Sequence, residues 1–221
     1  MKESKKPKAY QDGYVDFYGL KFLVTPDVLI PRPETEAAVD LILSLAGVPY
    51  LAGVAVPPSV LPVESRILDV GTGSGCIAVT VKQKLPEASV FACDVSAKAL
   101  EVARKNAGRL GTEVEFLESD LLENVLGKFD VMVANLPYVS RDWEWLDREA
   151  LDYEPDLALY AEDGGLAIIF RLLEQAKNRT KYLILEADPC QHEKITSSAG
   201  AQGYKLLKVV GFQLLFVFGE S

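Results

Sequence analysis

R-I-L-D-V-G-T-G-S-G-C, residues 66–76, is the stretch from which the fold can be read. Ile67, Leu68 and Val70 make a short apolar run suited to a buried strand. The run stops at Gly71-Thr72-Gly73-Ser74-Gly75, and Ile77, Ala78 and Val81 continue as an apolar helical pattern. A strand, a glycine-rich turn and a helix in succession open the ligand crevice of a doubly wound α/β domain. Glycines let the backbone turn tightly and lie close to a ligand, and the helix start offers it unpaired N–H groups. The dinucleotide spacing G-x-G-x-x-G is not kept, because Cys76 stands where the third glycine would be. That points away from NAD and toward another adenosine-containing ligand.

A chain of 221 residues can bury a substantial core as one domain. Its net charge of -9 argues against a protein that works mainly by gripping a nucleic acid backbone. Cys76, Cys93 and Cys190 are too few and too scattered for a disulfide framework or a zinc site, so reduced thiols and a cytoplasmic location are expected. His192 is the only histidine, and in its polar stretch it reads as a solvated helix-start residue rather than a catalytic partner. No apolar run is long enough to span a membrane. Residues 1–13 begin with a basic segment that no apolar signal-peptide core follows, and a poorly ordered end is expected there. Residues 14–221 then form a single domain.

Tyr14 to Val24 is rich in aromatic and branched residues around Gly19, the pattern of a β-hairpin. In T-P-D-V-L-I-P-R-P-E-T-E, residues 25–36, Pro31 and Pro33 stiffen the chain on both sides of Arg32. This segment is either an ordinary helix entry or a flap that carries Arg32, Pro33 and Glu34 over a site. Residues 47–62 form a proline-rich loop, expected to pack on the body of the domain. Strands and helices then alternate: strands at 89–93, 114–117, 129–134 and 182–185, helices at 97–110, 166–176 and 191–199, and an antiparallel pair at 204–210 and 214–218. Such alternation predicts a mostly parallel sheet covered on both faces.

Ligands of such sheets bind at the carboxyl ends of the strands. Gly71 to Gly75, Asp94, Asp120 and Asn135-Leu136-Pro137-Tyr138 sit there. Asp94 lies one strand after the glycine loop, where an acid holds ribose hydroxyls. Asp120 suits either the exocyclic amine of an adenine or a cap on the turn before Leu121. Asn135 offers a carbonyl that accepts from an N–H and an amide that donates. Leu136 precedes a proline, so it is extended and its carbonyl can face the crevice, while Tyr138 supplies a flat face. Together they suit a planar group bearing an NH₂.

The glycine loop, the strand-end acid and N-x-P-Y resemble the class I S-adenosylmethionine methyltransferases that modify planar nitrogens. L-I-P-R-P-E-T-E at 29–36 narrows this to the bacterial release-factor glutamine methyltransferases. D-V-S-A-K-A-L at 94–100, Ser119-Asp120, and E-P-D-L-A-L at 154–159 with Gly164-Gly165-Leu166 extend the likeness. It implies a Rossmann-like seven-stranded mostly parallel sheet with an N-terminal hairpin. It also implies S-adenosylmethionine as cofactor, with S-adenosylhomocysteine as product, and methylation of the glutamine nitrogen of the Gly-Gly-Gln motif of a peptide release factor. Gly71, Thr72, Gly73, Ser74, Gly75, Asp94, Asp120, Leu121 and Asn135 would line the cofactor site. Asn135, Leu136, Pro137 and Tyr138 would hold the glutamine amide, and no metal is implied.

Three features depart from that family. Leu136 replaces the first proline of N-P-P-Y, which keeps the carbonyl but loses rigidity. About a dozen residues precede the hairpin where the family carries a helical domain. The last strand, G-F-Q-L-L-F-V-F, lacks the expected polar and basic residues. The alternatives are adenine-N6 methylation of DNA or RNA, against which the acidic charge counts, and a truncated homologue that binds the cofactor without catalysis.

Overall fold

The computed structural model describes residues 6–48, 59–144, 146 and 151–219. Seven strands make one sheet: β3 Arg66–Val70, β4 Ser89–Asp94, β5 Glu115–Glu118, β6 Phe129–Ala134, β7 Thr180–Glu186, β8 Tyr204–Val210 and β9 Gln213–Phe218. Their order is β5-β4-β3-β6-β7-β9-β8. β9 runs antiparallel to both neighbours, and the remaining pairs are parallel. The order reverses between β3 and β6, and that switch point is where an open α/β sheet leaves room for a ligand.

The period of two along each strand sorts side chains to the two faces. Ile67, Val131, Val133, Ile184 and Val217 are buried on one face against the helices Glu36–Leu45 (α2) and Cys76–Lys84 (α3). Leu68, Val70, Met132, Leu183 and Phe216 are buried on the other with Ala167–Ala176 (α5) and His192–Ala201 (α6). Between them in sequence, helix α4 (Ala97–Leu110) is capped by Ser96, whose hydroxyl accepts from the Ala99 N–H at 3.2 Å.

The hairpin pairs Tyr14–Phe17 (β1) with Leu20–Leu23 (β2). Tyr18 and Gly19 at its tip both have positive φ, the requirement of the tight turn that matches strand twist. Buried Asn106 of α4 bonds both the N–H and the C=O of Leu23 and also the carbonyl of Ser74. One amide therefore joins the hairpin to the glycine loop.

The N-terminal end differs from expectation in part. Lys8–Asp12 form a short helix, α1, and Tyr10 is buried in a third apolar cluster with Val24, Val28, Ile30, Ala99 and Val102. Its hydroxyl donates to the Val28 carbonyl at 2.6 Å. The aromatic ring has apolar surface to bury and a partner for its O–H, and that orders a stretch whose lysines suggest solvation. Residues 1–5 lie outside the described residues, as do 49–58 of the proline-rich loop. The end of that loop packs on the body: the Val60 N–H donates to the Leu45 carbonyl, and Leu61 is buried.

Candidate active site

A cavity of about 290 Å³ opens at the carboxyl ends of β3, β4 and β6. Gly71 to Ser74, Asp94, Ser119 to Leu121 and Asn135 to Pro137 line it, together with Val28, Pro31 and Thr35 of the strap, residues 25–36. The three glycines of the loop are needed for different reasons. A Cβ on Gly71 would stand 2.8 Å from the Leu136 side chain, and one on Gly75 would stand 3.1 Å from Ala103 Cβ. Both positions are close approaches within the fold. A Cβ on Gly73, at φ +55°, would meet no atom within 4 Å. Gly73 alone of the three leaves open space, at a place where a ligand can come close to the backbone.

Asp94 ends β4 and its carboxylate is held from two sides. Oδ2 accepts from the Gly73 N–H and Oδ1 from the Ser96 N–H, both at 2.9 Å. Burial raises its pKa, and the N–H groups of Ser96, Gly73 and Val95 oppose the rise. The carboxylate as a whole, with about four acceptor sites, keeps room for a hydroxyl donor. The residues present thus fit an adenosine-bearing cofactor: open backbone at Gly73, a fixed carboxylate beside it, and a mostly apolar slot.

Asp120 lines the same cavity, and its Oδ2 accepts from Arg171 Nη2 at 2.8 Å. The cap on this turn is supplied instead by Ser119, whose hydroxyl accepts from the Asn124 N–H at 3.0 Å. Leu121, with φ 50°, is a buried non-glycine residue in the left-handed region. Such strain persists only where the surroundings enforce it, and it gathers at ligand sites.

Past the end of β6, Asn135, Leu136 and Pro137 line the cavity, and Tyr138 turns its hydroxyl toward Glu186 Oε1 at 3.4 Å. The Asn135 amide nitrogen donates to Thr35 Oγ1 at 3.0 Å. In the P-R-P-E-T-E segment, Pro33–Thr35 make a single 3-10 turn before α2. Pro31 and Thr35 line the cavity. Arg32 instead pairs with the nearly buried carboxylate of Glu154, which ties the strap to the E-P-D segment. Glu34 contributes its backbone carbonyl, which accepts from Gln213.

Several side chains that the sequence did not single out complete the site. Asp69, within the strand of the opening motif, is fully buried. Its Oδ2 accepts from the Thr72 hydroxyl at 2.6 Å and the Ala78 N–H at 3.2 Å, so it braces the glycine loop from below. Burial raises its pKa to about 7, a rise that the two donors oppose and nearby Asp94 reinforces. Gln191 donates to the carbonyls of Tyr138 and Gly164, both at 2.8 Å, and locks the N-x-P-Y loop to the Gly164-Gly165 turn. Glu186 at the end of β7 is buried; desolvation raises its pKa, while Thr35, Gln213 and Tyr138 bond its carboxylate and oppose the rise. A charged residue inside an apolar strand is the one sequence signal for Asp69, and the strand-end position is the one for Glu186; Gln213 carries none, because only the sheet register sets it beside Glu186.

Residues 55–146 match the methyltransferase small domain family. Among curated proteins, the release factor glutamine methyltransferase of Koribacter versatilis is 41% identical over 181 residues, covering 80% of this chain and 59% of that protein. The protein of the same name from Enterococcus faecalis is 37% identical, covering 91% of this chain and 66% of that one. The chain thus spans about 60% of the length of the first of these relatives. Among solved structures, a methyltransferase from Pyrococcus furiosus aligns with TM-score 0.63 at 20% identity, covering 91% of this chain and 90% of that one. The 16S rRNA N2 G1207 methyltransferase of T. thermophilus, solved with AdoMet and guanosine, aligns with TM-score 0.64 at 16% identity, covering 94% and 50%. These two likenesses show the fold.

Proposed function

We propose that this chain acts as the release factor glutamine methyltransferases it resembles act, methylating the side-chain nitrogen of a glutamine in a peptide release factor. The cofactor of this reading is S-adenosylmethionine, whose sulfonium supplies an electrophilic methyl group. The observation that carries the reading is the placement of Asn135, Leu136 and Pro137 on the same cavity as Asp94 and Gly73. A planar NH₂ group held at the first set lies next to a ligand held at the second.

An amide nitrogen is a poor nucleophile because its lone pair is delocalised. Asn135 Oδ1 and the Leu136 carbonyl accept its two N–H bonds and direct the lone pair toward the cofactor side. Positioning of this kind contributes up to ~10 kcal/mol of a barrier. Positive charge develops on that nitrogen, and the two carbonyl dipoles stabilise it without having to reorganise. The proton leaves to water after transfer. Asp94 binds the ribose hydroxyls, and Asp69 keeps the glycine loop in shape through Thr72 and Ala78.

The experiment is transfer of a radioactive methyl group from S-adenosylmethionine to purified release factor. Parallel reactions use a Gln→Ala version of its Gly-Gly-Gln motif and duplex DNA. Label on the first substrate alone supports the reading. Label on DNA, or equal label on the Gln→Ala factor, defeats it. Cofactor binding with no transfer to any of the three leaves the non-catalytic alternative standing.

A further inference from the structure

We infer that Asn106 is a positioning residue: it sets the Ser74 carbonyl of the glycine loop and ties it to strand β2, so that cofactor affinity depends on the N-terminal hairpin. The inference rests on the reading that this cavity holds S-adenosylmethionine.

Asn106 lies within α4 and is fully buried. Asparagine is a poor helix former, and an unpaired amide in an apolar interior is costly, so its burial there requires partners. It has them on two sides. Oδ1 accepts from the Leu23 N–H at 2.7 Å, while Nδ2 donates to the Leu23 carbonyl at 3.0 Å and to the Ser74 carbonyl at 2.9 Å. An amide nitrogen has two protons, and one goes to each side. Turned round, the amide would set N–H against the Leu23 N–H and oxygen against two carbonyls, so its partners fix its orientation.

At the hairpin, Asn106 takes the place of a third strand at one residue. Val24 donates its N–H to the Gly13 carbonyl at 3.0 Å, so in the alternating ladder Leu23 turns both backbone groups away from β1. Asn106 bonds both. At the loop, Ser74 stands between Gly73, with φ +55°, and Gly75, with φ +81°. Neither glycine has a Cβ to restrict the peptide planes beside Ser74. Hydrogen bonds hold the plane that joins Ser74 to Gly75 instead. Asn106 takes its carbonyl, and the Gly75 N–H donates to the Thr72 carbonyl at 2.9 Å. Gly75 also packs closely on Ala103, which lies on the same face of α4 as Asn106. The helix thus grips the loop twice, by contact and by hydrogen bond. Gly73, whose N–H meets the Asp94 carboxylate, is the next residue along. With the Ser74 carbonyl released, that plane is free to turn, and Gly73 shifts against Asp94. Conversely, a ligand that fixes Gly73 and Asp94 also fixes Ser74, Asn106 and Leu23, because linkage runs both ways.

The test uses the full chain, with the S-adenosylhomocysteine Kd from titration calorimetry, Tm, and amide hydrogen exchange with and without that ligand. Asn106→Ala should weaken binding about 5- to 100-fold. Asn106→Asp keeps an acceptor for Leu23 but loses both donors, and should weaken it as much. Val217→Ala controls for stability: Val217 is buried on β9 and does not line the cavity, so this variant should lower Tm and leave Kd within about twofold. In the unliganded chain, Asn106→Ala should speed exchange at Gly73 and Gly75 and at Phe22 of β2, beyond any change in β8. In the wild type, the ligand should slow Phe22 more than it slows β8. The strap also joins the hairpin to the cavity, and loss of that excess in Asn106→Ala assigns the coupling to Asn106. An unchanged Kd in Asn106→Ala overturns the inference, as does a Kd that tracks Tm equally in Asn106→Ala and Val217→Ala. Faster exchange at Leu23 alone, or an excess that survives Asn106→Ala, also overturns it. If Asn106→Ala fails to fold, Asn106→Ser is read in the same way, together with the wild-type Asn106 side-chain protons. Exchange of those protons that slows with ligand in step with Gly73 and Phe22 supports the inference, and exchange that ligand leaves unchanged overturns it. If the wild type binds no S-adenosylhomocysteine, the cofactor reading fails by itself. The unliganded exchange pattern then decides whether Asn106 joins loop and hairpin: faster exchange at both supports it, and at one alone overturns it.

Discussion

Gly165 lies at the back of the N-x-P-Y loop, and replacing it with alanine tests whether that loop is held by contact or only by its own stiffness. Gly165 has φ +89°, and a Cβ there would stand 2.0 Å from the Tyr138 carbonyl oxygen, 2.6 Å from its carbon and 2.7 Å from Gln191 Nε2. Gly164 beside it has φ +64°, and a Cβ there would meet nothing within 4 Å. Both substitutions incur the left-handed backbone cost of an L-residue, ~1–2 kcal/mol. Gly165→Ala adds a collision with a backbone that Gln191 already grips, ~1–3 kcal/mol of overpacking. For a chain of this size each kcal/mol lowers Tm by about 2–4 °C, so Gly165→Ala should melt roughly 2–12 °C below Gly164→Ala. The relief available is movement of Tyr138 away from Gly165, which displaces the acceptor site. Single-turnover methyl transfer should therefore slow on the order of 100-fold in Gly165→Ala, with cofactor affinity kept. Calorimetric melts and rapid-quench transfer on the two variants measure both effects. Equal melting and equal rates would show that Tyr138 yields freely and that the Gly165 contact positions nothing.

Asp94→Ala should weaken cofactor binding by ~1–3 kcal/mol in titration calorimetry, and unchanged affinity would remove Asp94 from the site. Leu136→Pro should keep or raise kcat at unchanged Tm, since proline retains the carbonyl and no protein acceptor takes the Leu136 N–H among the described residues; slower transfer at equal stability would show that the leucine side chain, packed on Gly71, itself shapes the site. Asp69 should make the protein less stable as pH rises. Its folded pKa of about 7 lies above the ordinary carboxylate value, so the native state binds the extra proton between the two. Stability from this group is full below that window and falls through it. Urea midpoints at pH 5 and pH 8 should differ less in Asp69→Asn than in the wild type, and an unchanged difference would clear Asp69 of the effect.

The sequence carried those parts of the molecule whose signal is local. β3, the glycine loop and α3 follow from an apolar run, positive-φ residues and helical spacing within one stretch. The hairpin and the Ser96 cap are legible for the same reason. The site is only half local. Asp94 and Asn135 sit at strand ends, where the topology rule looks for them. Glu186 also ends a strand, but Thr35 and Gln213 lie far from it in the chain and no spacing announces them; antiparallel register sets Gln213 beside Glu186, and the 3-10 turn before α2 brings Thr35 to the cavity. Asp69 was hidden differently, as one acid in a strand that otherwise reads as apolar packing. The helix at Lys8–Asp12 depends on one buried ring, Tyr10, which composition averages away beneath the lysines.

The reversed direction of β9 has a consequence for how the protein is made. Because β9 runs against β7, its first residue, Gln213, meets the last residue of β7, Glu186. Every group that lines the cavity has been synthesised by Arg171. A nascent chain that has emerged through β8 holds the walls of the cavity but leaves the Glu186 carboxylate without its amide brace. Long-range strand pairing is the slow part of folding, and here it comes last in synthesis as well. The order of events on the ribosome thus completes the walls of the cavity before the Glu186–Gln213 pair beside it, and the closing strand is what joins the two.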